Sequence, residues 1–386
     1  MIPRDPAFAS EEYGGRLEKV RQGMVERKVE ALLLLSPQNI YYLSGMDSPA
    51  ILHYQCMIVP LDQDPILILF NFHEAAAENT CSGVQSTLYT SFEDPIQTTL
   101  AALSRLGLQH GHLGVEQRSP VVSAGVYTRL KAALMDAQIE DPFGIVENVR
   151  LRKSPSEIAY VRQAAALTDL AVEAAYKAMV VGARDSDVAA AIVDSLYRAG
   201  SEPLVSGPTV AAGYRAGVAH HSFNGLKLRK GDTIFLEYTG RVRRYVAPVM
   251  RTGVLGQPTR EMERIAKASA EACLTIIRTA RSGVPCSDVA RAALAVLEPV
   301  LPGLVFHHDF GYPVGIHFPL SWNEQLGCML RVENSSPLES GMIFHLPMSL
   351  RKSGEFGIGQ SQTVLITDTG AEPLTRSPHY MRVLEA

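Results

Sequence analysis

The sequence predicts a two-domain protein of mixed α/β class, with a domain boundary near residue 150. The chain has 386 residues, which is long enough for two domains. In residues 1–150, amphipathic patterns alternate with short apolar runs, as is typical of an α/β domain. Just after the boundary, Ser154 fits the N-cap of a helix, Pro155 its first position and Glu157 the third residue of a capping box. We therefore expect domains at residues 1–150 and 151–386.

The first domain is expected to alternate helices and strands along the chain. A long helix running to about residue 181 is then expected to open the second domain. Strand predictions depend on short apolar or β-branched runs between turn residues, and helix predictions on apolar positions that recur with helical period. In chain order, the elements expected in the first domain are a helix (11–27), a strand (31–35), a hairpin (57–60 with 65–70), a helix (94–106), a strand (112–116) and a helix (120–134).

Composition excludes several functional classes. The net charge of −4 gives no reason to expect a nucleic-acid partner. No apolar run approaches the ~18–20 residues that a transmembrane helix needs, and the N-terminus lacks the apolar core of a signal peptide. The five cysteines are odd in number and contain no CxxC pair, which indicates reduced thiols. We expect a cytoplasmic protein that binds neither nucleic acid nor membrane.

Several motifs, taken together and in this order, resemble one protein family. The helix opening at residues 150–158 and the hairpin at residues 231–252 resemble the "pita-bread" family, which includes methionine aminopeptidase, aminopeptidase P, prolidase and creatinase. The resemblance covers nearly the whole chain. It implies a creatinase-type α/β N-terminal domain followed by an α+β pita-bread catalytic domain.

In the metallopeptidases of this family, five acidic or histidine residues hold two metal ions. The resemblance aligns those positions with Glu237, Pro248, Tyr312, Pro347 and Ser361. A dinuclear site needs several hard or borderline ligands within ~2.0–2.6 Å of the ions. Only one of the five residues is a carboxylate, so we expect no metal and no other cofactor.

Glu237 and His220 are the predicted catalytic residues. Glu237 lies in an apolar strand, where burial raises the pKa of a carboxylate unless it is paired. A desolvated glutamate beside a histidine is a good nucleophile or general base. The resemblance aligns His220 with the histidine that meets the substrate in aminopeptidase P and carries the proton in creatinase. The alternatives are a Glu237 that pairs with a nearby arginine between residues 241 and 251, and a structural His220.

Four further residues are predicted to bind the substrate. Tyr312 takes the place of a metal ligand, and His345 lies two residues before another such position. Trp322 and Glu324 lie in the segment 318–324, which shapes specificity in family members. The Trp322 ring could face a cationic ligand, although loop packing is an equal alternative.

Within the family, four segments resemble the ectoine hydrolase branch: residues 235–237, 311–312, 318–324 and 341–345. This resemblance implies metal-independent hydrolysis of a C–N bond in a cyclic amidine or amide, with a small zwitterionic compound as substrate. Two alternatives stay open: an Xaa-Pro dipeptidase or aminopeptidase with an atypical metal site, and a non-catalytic pita-bread binding protein. The family also implies a homodimer, with residues around 47–54 near the pocket of the neighbouring subunit.

Overall fold

The computed structural model describes residues 2–48, 52–324 and 327–386. It divides into two compact units, Met1–Arg150 and Leu151–Ala386. Within the described residues, no helix has both the length and the apolar character needed to cross a membrane. All five cysteines are free and buried.

The first unit contains one mixed sheet with helices around it. Its strands lie in the order β4-β3-β2-β1-β5-β6. The helices are α1 (Ser10–Arg27), α2 (Pro37–Ser44), α3 (Glu74–Thr80), α4 (Pro95–Arg105), α5 (Ala124–Ala133) and α6 (Ile145–Leu151, which ends one residue past the boundary). The strands are β1 (Ala31–Leu34), β2 (Gln55–Pro60), β3 (Ile66–Phe70), β4 (Gln85–Tyr89), β5 (His112–Val115) and β6 (Gln138–Glu140).

The expected elements of this unit are confirmed, with small shifts at their ends. Side-chain caps fix two of the helix starts. Asp94 accepts a hydrogen bond from the Ile96 N–H at the start of α4, and Ser123 accepts one from the Val126 N–H. The second cap explains why α5 begins at residue 124 rather than 120. Helices α2, α3 and α6 were not expected, because their short apolar patterns do not extend over enough turns.

The second unit is built from four long helices and thirteen strands among the described residues. The helices are α7 (Pro155–Ala178), α8 (Asp185–Arg198), α9 (Arg260–Thr279) and α10 (Cys286–Leu297). The strands are β7 (Thr209–Ala212), β8 (Thr233–Tyr238), β9 (Arg241–Val242), β10 (Tyr245–Val246), β11 (Val249–Leu255), β12 (Tyr312–Phe318), β13 (Ser321–Asn323), β14 (Ile343–His345), β15 (Met348–Lys352), β16 (Phe356–Gln360), β17 (Thr363–Ile366), β18 (Ala371–Pro373) and β19 (Arg382–Leu384).

Helix α7 begins as the sequence predicts. The Ser154 side chain accepts the Glu157 N–H, and the Glu157 carboxylate accepts the Ser154 N–H, which completes the capping box. The helix ends at Ala178, about three residues earlier than expected. A turn follows in which Gly182 adopts a φ of 90°, a conformation that glycine tolerates without a steric penalty.

Two helix pairs cover the strands of this unit. Helices α7 and α8 bury an apolar cluster against β7, β8 and β11, with Val172 and Ile192 facing Leu236 and Val249. Helices α9 and α10 bury a second cluster against β14 to β17. A four-stranded sheet has the order β19-β11-β8-β7, and a larger sheet the order β18-β17-β14-β12-β10-β9, with β13 paired to β12. The remaining strands, β15 and β16, form a hairpin.

Candidate functional site

Glu237 is the one residue of strand β8 that is only partly buried. Every other residue of β8 is buried. Because side chains alternate along a strand, Leu236 and Tyr238 face the cluster under α7 and α8, while Phe235 and Glu237 face the opposite side. On the neighbouring strand β11, Met250 is paired with Glu237. The strand therefore presents Glu237 on the side of the sheet away from the helices.

The environment of Glu237 raises the pKa of its carboxyl group. Burial is the main cause and the positive charge of Arg351 opposes it, which leaves the pKa at about 7 instead of the ordinary 4.5. Among the described residues, no hydrogen bond or ion pair to this side chain is found. Glu237 therefore changes charge near neutral pH and has lone pairs available for a ligand.

Arg351 on β15 is the cation that acts on Glu237. Its guanidinium carbon lies 4.2 Å from the centroid of the Phe235 ring, and Nη1 donates a hydrogen bond to the Ala216 carbonyl. Burial lowers the pKa of Arg351, and the charge of Glu237 acts in the opposite direction. Sequence reasoning missed this residue, because it lies 114 positions from Glu237 and nothing in the segment around it marks it.

The arginines between residues 241 and 251 have other contacts. Buried Arg251 donates to the main-chain oxygens of Ser361 and Ser377. Arg241 lies 3.3 Å from a carboxylate oxygen of Glu202. Arg251 thus joins strands and loops and has a structural role.

Four of the family's five metal-ligand positions hold a hydroxyl group or a proline. The two hydroxyl groups, of Tyr312 and Ser361, join one hydrogen-bonded chain through His345. The Tyr312 hydroxyl lies 2.7 Å from Nδ1 of His345, and Nε2 of His345 lies 2.7 Å from Oγ of Ser361. Trp322 Nε1 donates to the Tyr312 hydroxyl over 3.0 Å. His345 is fully buried, and burial with the charge of Arg251 lowers its pKa to about 3, so the ring is neutral.

These residues do not fit a two-metal centre. Both nitrogens of His345 are engaged by hydroxyl groups, and Pro347 has no side-chain donor atom. Pro248 likewise offers only its carbonyl, which accepts the Thr363 hydroxyl over 2.8 Å. Across residues 2–48, 52–324 and 327–386, no group of three or more His, Cys, Asp or Glu side chains is arranged to hold a metal ion. One carboxylate does not supply the anionic ligands that two divalent ions need.

His220 lies in an exposed turn after the short 3-10 helix Gly213–Gly217. Its φ of 58° lies in the left-handed region, which is uncommon for a residue other than glycine. In the described structure no hydrogen bond joins it to Glu237. Arg351 interacts with the segments of both residues. Its charge lowers the pKa of Glu237, and its guanidinium donates a hydrogen bond to the carbonyl of Ala216, four residues before His220. The catalytic role of His220 stays a prediction.

Of the other predicted substrate-binding residues, Trp322 lies within this network and Glu324 is engaged elsewhere. Glu324 forms an ion pair with Lys153 over 2.7 Å, and both side chains are 1% exposed. Gly315 on β12 leaves the room for this pair, since a Cβ there would lie 2.6 Å from the Glu324 carboxylate. A substrate contact by Glu324 stays a prediction.

Comparison with known proteins places these features in a family. Residues 159–368 match metallopeptidase family M24, and residues 16–152 match the creatinase/prolidase N-terminal domain. The chain belongs to the M24 family. Its pita-bread fold is confirmed by the prolidase of Thermococcus sibiricus, which is 22% identical, with a TM-score of 0.86 over 96% of this chain and 99% of the other.

Two curated relatives carry different activities. The M24 chain is 28% identical to the ectoine hydrolase of Halomonas elongata, over 99% of this chain and all of the relative. It is 25% identical to the Xaa-Pro dipeptidase of Pyrococcus furiosus, over 94% of this chain and 98% of the relative. Both relatives are hydrolases, so the two relationships together support a hydrolytic activity.

Proposed function

We propose that this M24 protein is a metal-independent hydrolase of a C–N bond in a small zwitterionic compound, either a cyclic amidine or an amide. Glu237 is the nucleophile and His220 moves the proton to the leaving nitrogen. The observation that carries the proposal is that Glu237, the one residue of β8 that is not fully buried, has no hydrogen-bond or ion-pair partner among the described residues, in a site whose other family ligand positions do not fit a metal. The relationship to the Halomonas elongata ectoine hydrolase supports the substrate class.

The charge state of Glu237 provides a way for the substrate to activate its own hydrolysis. A carboxylate must be ionised to attack carbon, and burial favours its neutral form. A cationic amidinium bound against Glu237 lowers that pKa again, because an opposite charge within a few ångströms favours the ionised form. The nucleophile is then formed mainly in the complex.

An Xaa-Pro dipeptidase activity is the second candidate function, because the Pyrococcus furiosus relative is an Xaa-Pro dipeptidase. It requires a metal site unlike that of the family, because Glu237 is the only carboxylate at the aligned positions. A panel of ectoine, hydroxyectoine, other cyclic amidines, creatine-like compounds and Xaa-Pro dipeptides separates the two. Each compound is assayed with chelated protein and with protein supplied with Mn²⁺, and products are read by mass spectrometry.

The proposal expects at least one amidine or amide to be hydrolysed by chelated protein. Glu237→Gln should then lose activity by more than the ~10²–10⁴-fold that positioned acid–base catalysis contributes, because the covalent route disappears. Metal-dependent cleavage of Xaa-Pro dipeptides alone would establish the second candidate. An active Glu237→Gln variant that keeps more than about a tenth of the wild-type rate would show that Glu237 is not the nucleophile.

We also propose that the protein is a cytoplasmic homodimer, as the family resemblance implies. Residues 47–54 are proposed to approach the neighbouring subunit's pocket, although residues 49–51 lie outside the described part of the chain. Light scattering at micromolar concentration should give the mass of a dimer. A monomeric mass would contradict this part of the proposal.

A further inference from the structure

The hydrogen-bonded chain of Tyr312, His345 and Ser361 fixes the position of each of its protons. A serine hydroxyl carries one proton and accepts through its lone pairs, while a neutral histidine has one N–H and one accepting nitrogen. A tryptophan N–H only donates. The two contacts of His345 are each 2.7 Å, so the imidazole donates through one nitrogen and accepts through the other.

The hydrogen bonds of Ser361 show which nitrogen of His345 is the acceptor. Its Oγ already accepts the N–H of Met250, so its own proton needs an acceptor. Ser361 is fully buried, and among the described residues Nε2 of His345 is the acceptor within reach. A buried hydroxyl proton without an acceptor is disfavoured. Ser361 therefore donates to Nε2, and the imidazole proton is on Nδ1.

The orientation of the Tyr312 hydroxyl follows. Its oxygen accepts from His345 Nδ1–H and from Trp322 Nε1–H, which occupies both lone pairs. Its own proton points away from these two donors. Tyr312 is only partly buried, unlike Ser361, so this proton can be met by solvent or by a bound ligand. Burial raises the pKa of Tyr312 well above its ordinary value and the Glu237 charge raises it further, so the hydroxyl stays protonated and lies within electrostatic reach of Glu237.

We propose that Tyr312 is a fixed hydrogen-bond donor to the oxygen on the carbon that Glu237 attacks, and that His345 is the residue that positions it. The assignment of this oxygen rests on the proposed function, whereas the proton arrangement does not. Preorganised donors of this kind stabilise charge that develops on an oxygen during acyl transfer.

For a cyclic amidine, the reaction balances without any proton from Tyr312. A Glu237 oxygen bonds to the amidine carbon, the C–N bond breaks, and the amine leaves with a proton from protonated His220. Water then adds to the same carbon and gives one proton to His220. The bond to Glu237 breaks, the remaining hydroxyl proton passes to the released amine, and an amide remains. Tyr312 donates its hydrogen bond to the oxygen that came from water.

The tautomer can be tested without a substrate. In protein labelled with ¹⁵N-histidine, two-bond proton–nitrogen correlations distinguish Nδ1–H from Nε2–H, and the signals missing in His345→Gln identify His345 among the eleven histidines. We expect the neutral Nδ1–H form. A Nε2–H form or an imidazolium would overturn the inference even if the protein is an active hydrolase.

Activity tests the role of the hydroxyl. Tyr312→Phe should lower kcat by about 10²–10³-fold, with a much smaller change in KM. Tyr238→Phe is the matched control, since it removes a buried hydroxyl from the helix-facing side of β8. Site-specific fluorotyrosine at position 312 keeps the hydroxyl and makes it a stronger donor, so its kcat should exceed that of the wild type.

A purely structural tyrosine gives a different pattern. Tyr312→Phe and Tyr238→Phe would then change kcat equally, and fluorination would leave the rate unaffected by hydroxyl acidity. Either result overturns the donor role. If the whole substrate panel is inactive, the proposed function fails, while the histidine tautomer still decides the proton arrangement.

Discussion

The guanidinium of Arg351 lies over the ring of Phe235, with its central carbon 4.2 Å from the ring centroid, and Phe235 lies two positions before Glu237 on the same face of β8. This contact holds a positive charge beside the candidate nucleophile without a direct hydrogen bond to it among the described residues. The charge opposes the effect of burial on the pKa of Glu237. The same guanidinium donates to the Ala216 carbonyl in the segment before His220.

Replacing Arg351 should move the pH dependence of catalysis. Without its charge, only the burial effect remains and the pKa of Glu237 rises above about 7. The acid limb of kcat/KM, which reports groups of the free enzyme, should therefore shift to higher pH in Arg351→Met. Arg351→Lys keeps the charge and is the control. Equal profiles for wild type and Arg351→Met would show that Arg351 does not set this pKa.

Glu237 should lower stability at neutral pH. Its pKa is about 7 in the folded protein, above the ordinary value of 4.5, so the folded state holds this proton more tightly than the unfolded state. Stability then falls as pH rises from 4.5 to 7 and stays lower above that window. Glu237→Gln lacks this dependence. Denaturant unfolding should show it to be more stable than the wild type above pH 7, with a smaller difference below pH 4.5. A difference independent of pH would contradict the assigned pKa.

The buried pair of Lys153 and Glu324 should be strongly coupled. Lys153→Met removes one partner of this buried ion pair, and breaking a buried pair in this way typically costs about 3–5 kcal/mol of stability. Glu324→Gln in the same chain removes the remaining charge and should restore much of the loss. Denaturant unfolding of both single variants and the double variant measures the coupling. Additive losses would mean that the two charges do not stabilise each other.

Much of the fold could be predicted because its signals are local. The capping box at Ser154, the apolar run of β1 and the β2–β3 hairpin each depend on neighbouring residues. The position of Glu237 could also be predicted, since the order of motifs resembles one family. The site's partners could not. Arg351 is brought near Glu237 by the folding of the β15–β16 hairpin. Lys153 and Glu324, which form a hydrogen-bonded ion pair, are 171 positions apart in the sequence.

The hydrogen-bonded chain at the aligned metal positions was predicted only in part. Tyr312 and His345 were both expected near the pocket, but their contact depends on the register between β12 and β14, which pairs these two residues. The interaction with Ser361 depends in turn on a hydrogen bond from the main chain of Met250. Such tertiary geometry carries no signal in the sequence around any single one of these residues.

Metal binding tests the central claim most directly, because it needs no substrate. Wild-type protein and Glu237→Gln are incubated with Mn²⁺, Co²⁺ or Zn²⁺, desalted, and analysed for bound metal by elemental mass spectrometry. Because one carboxylate does not supply enough ligands for these ions, we expect no stoichiometric metal in either protein and the same metal content in both. Stoichiometric metal in the wild type, lost in Glu237→Gln and lost together with hydrolysis on chelation, would contradict the account.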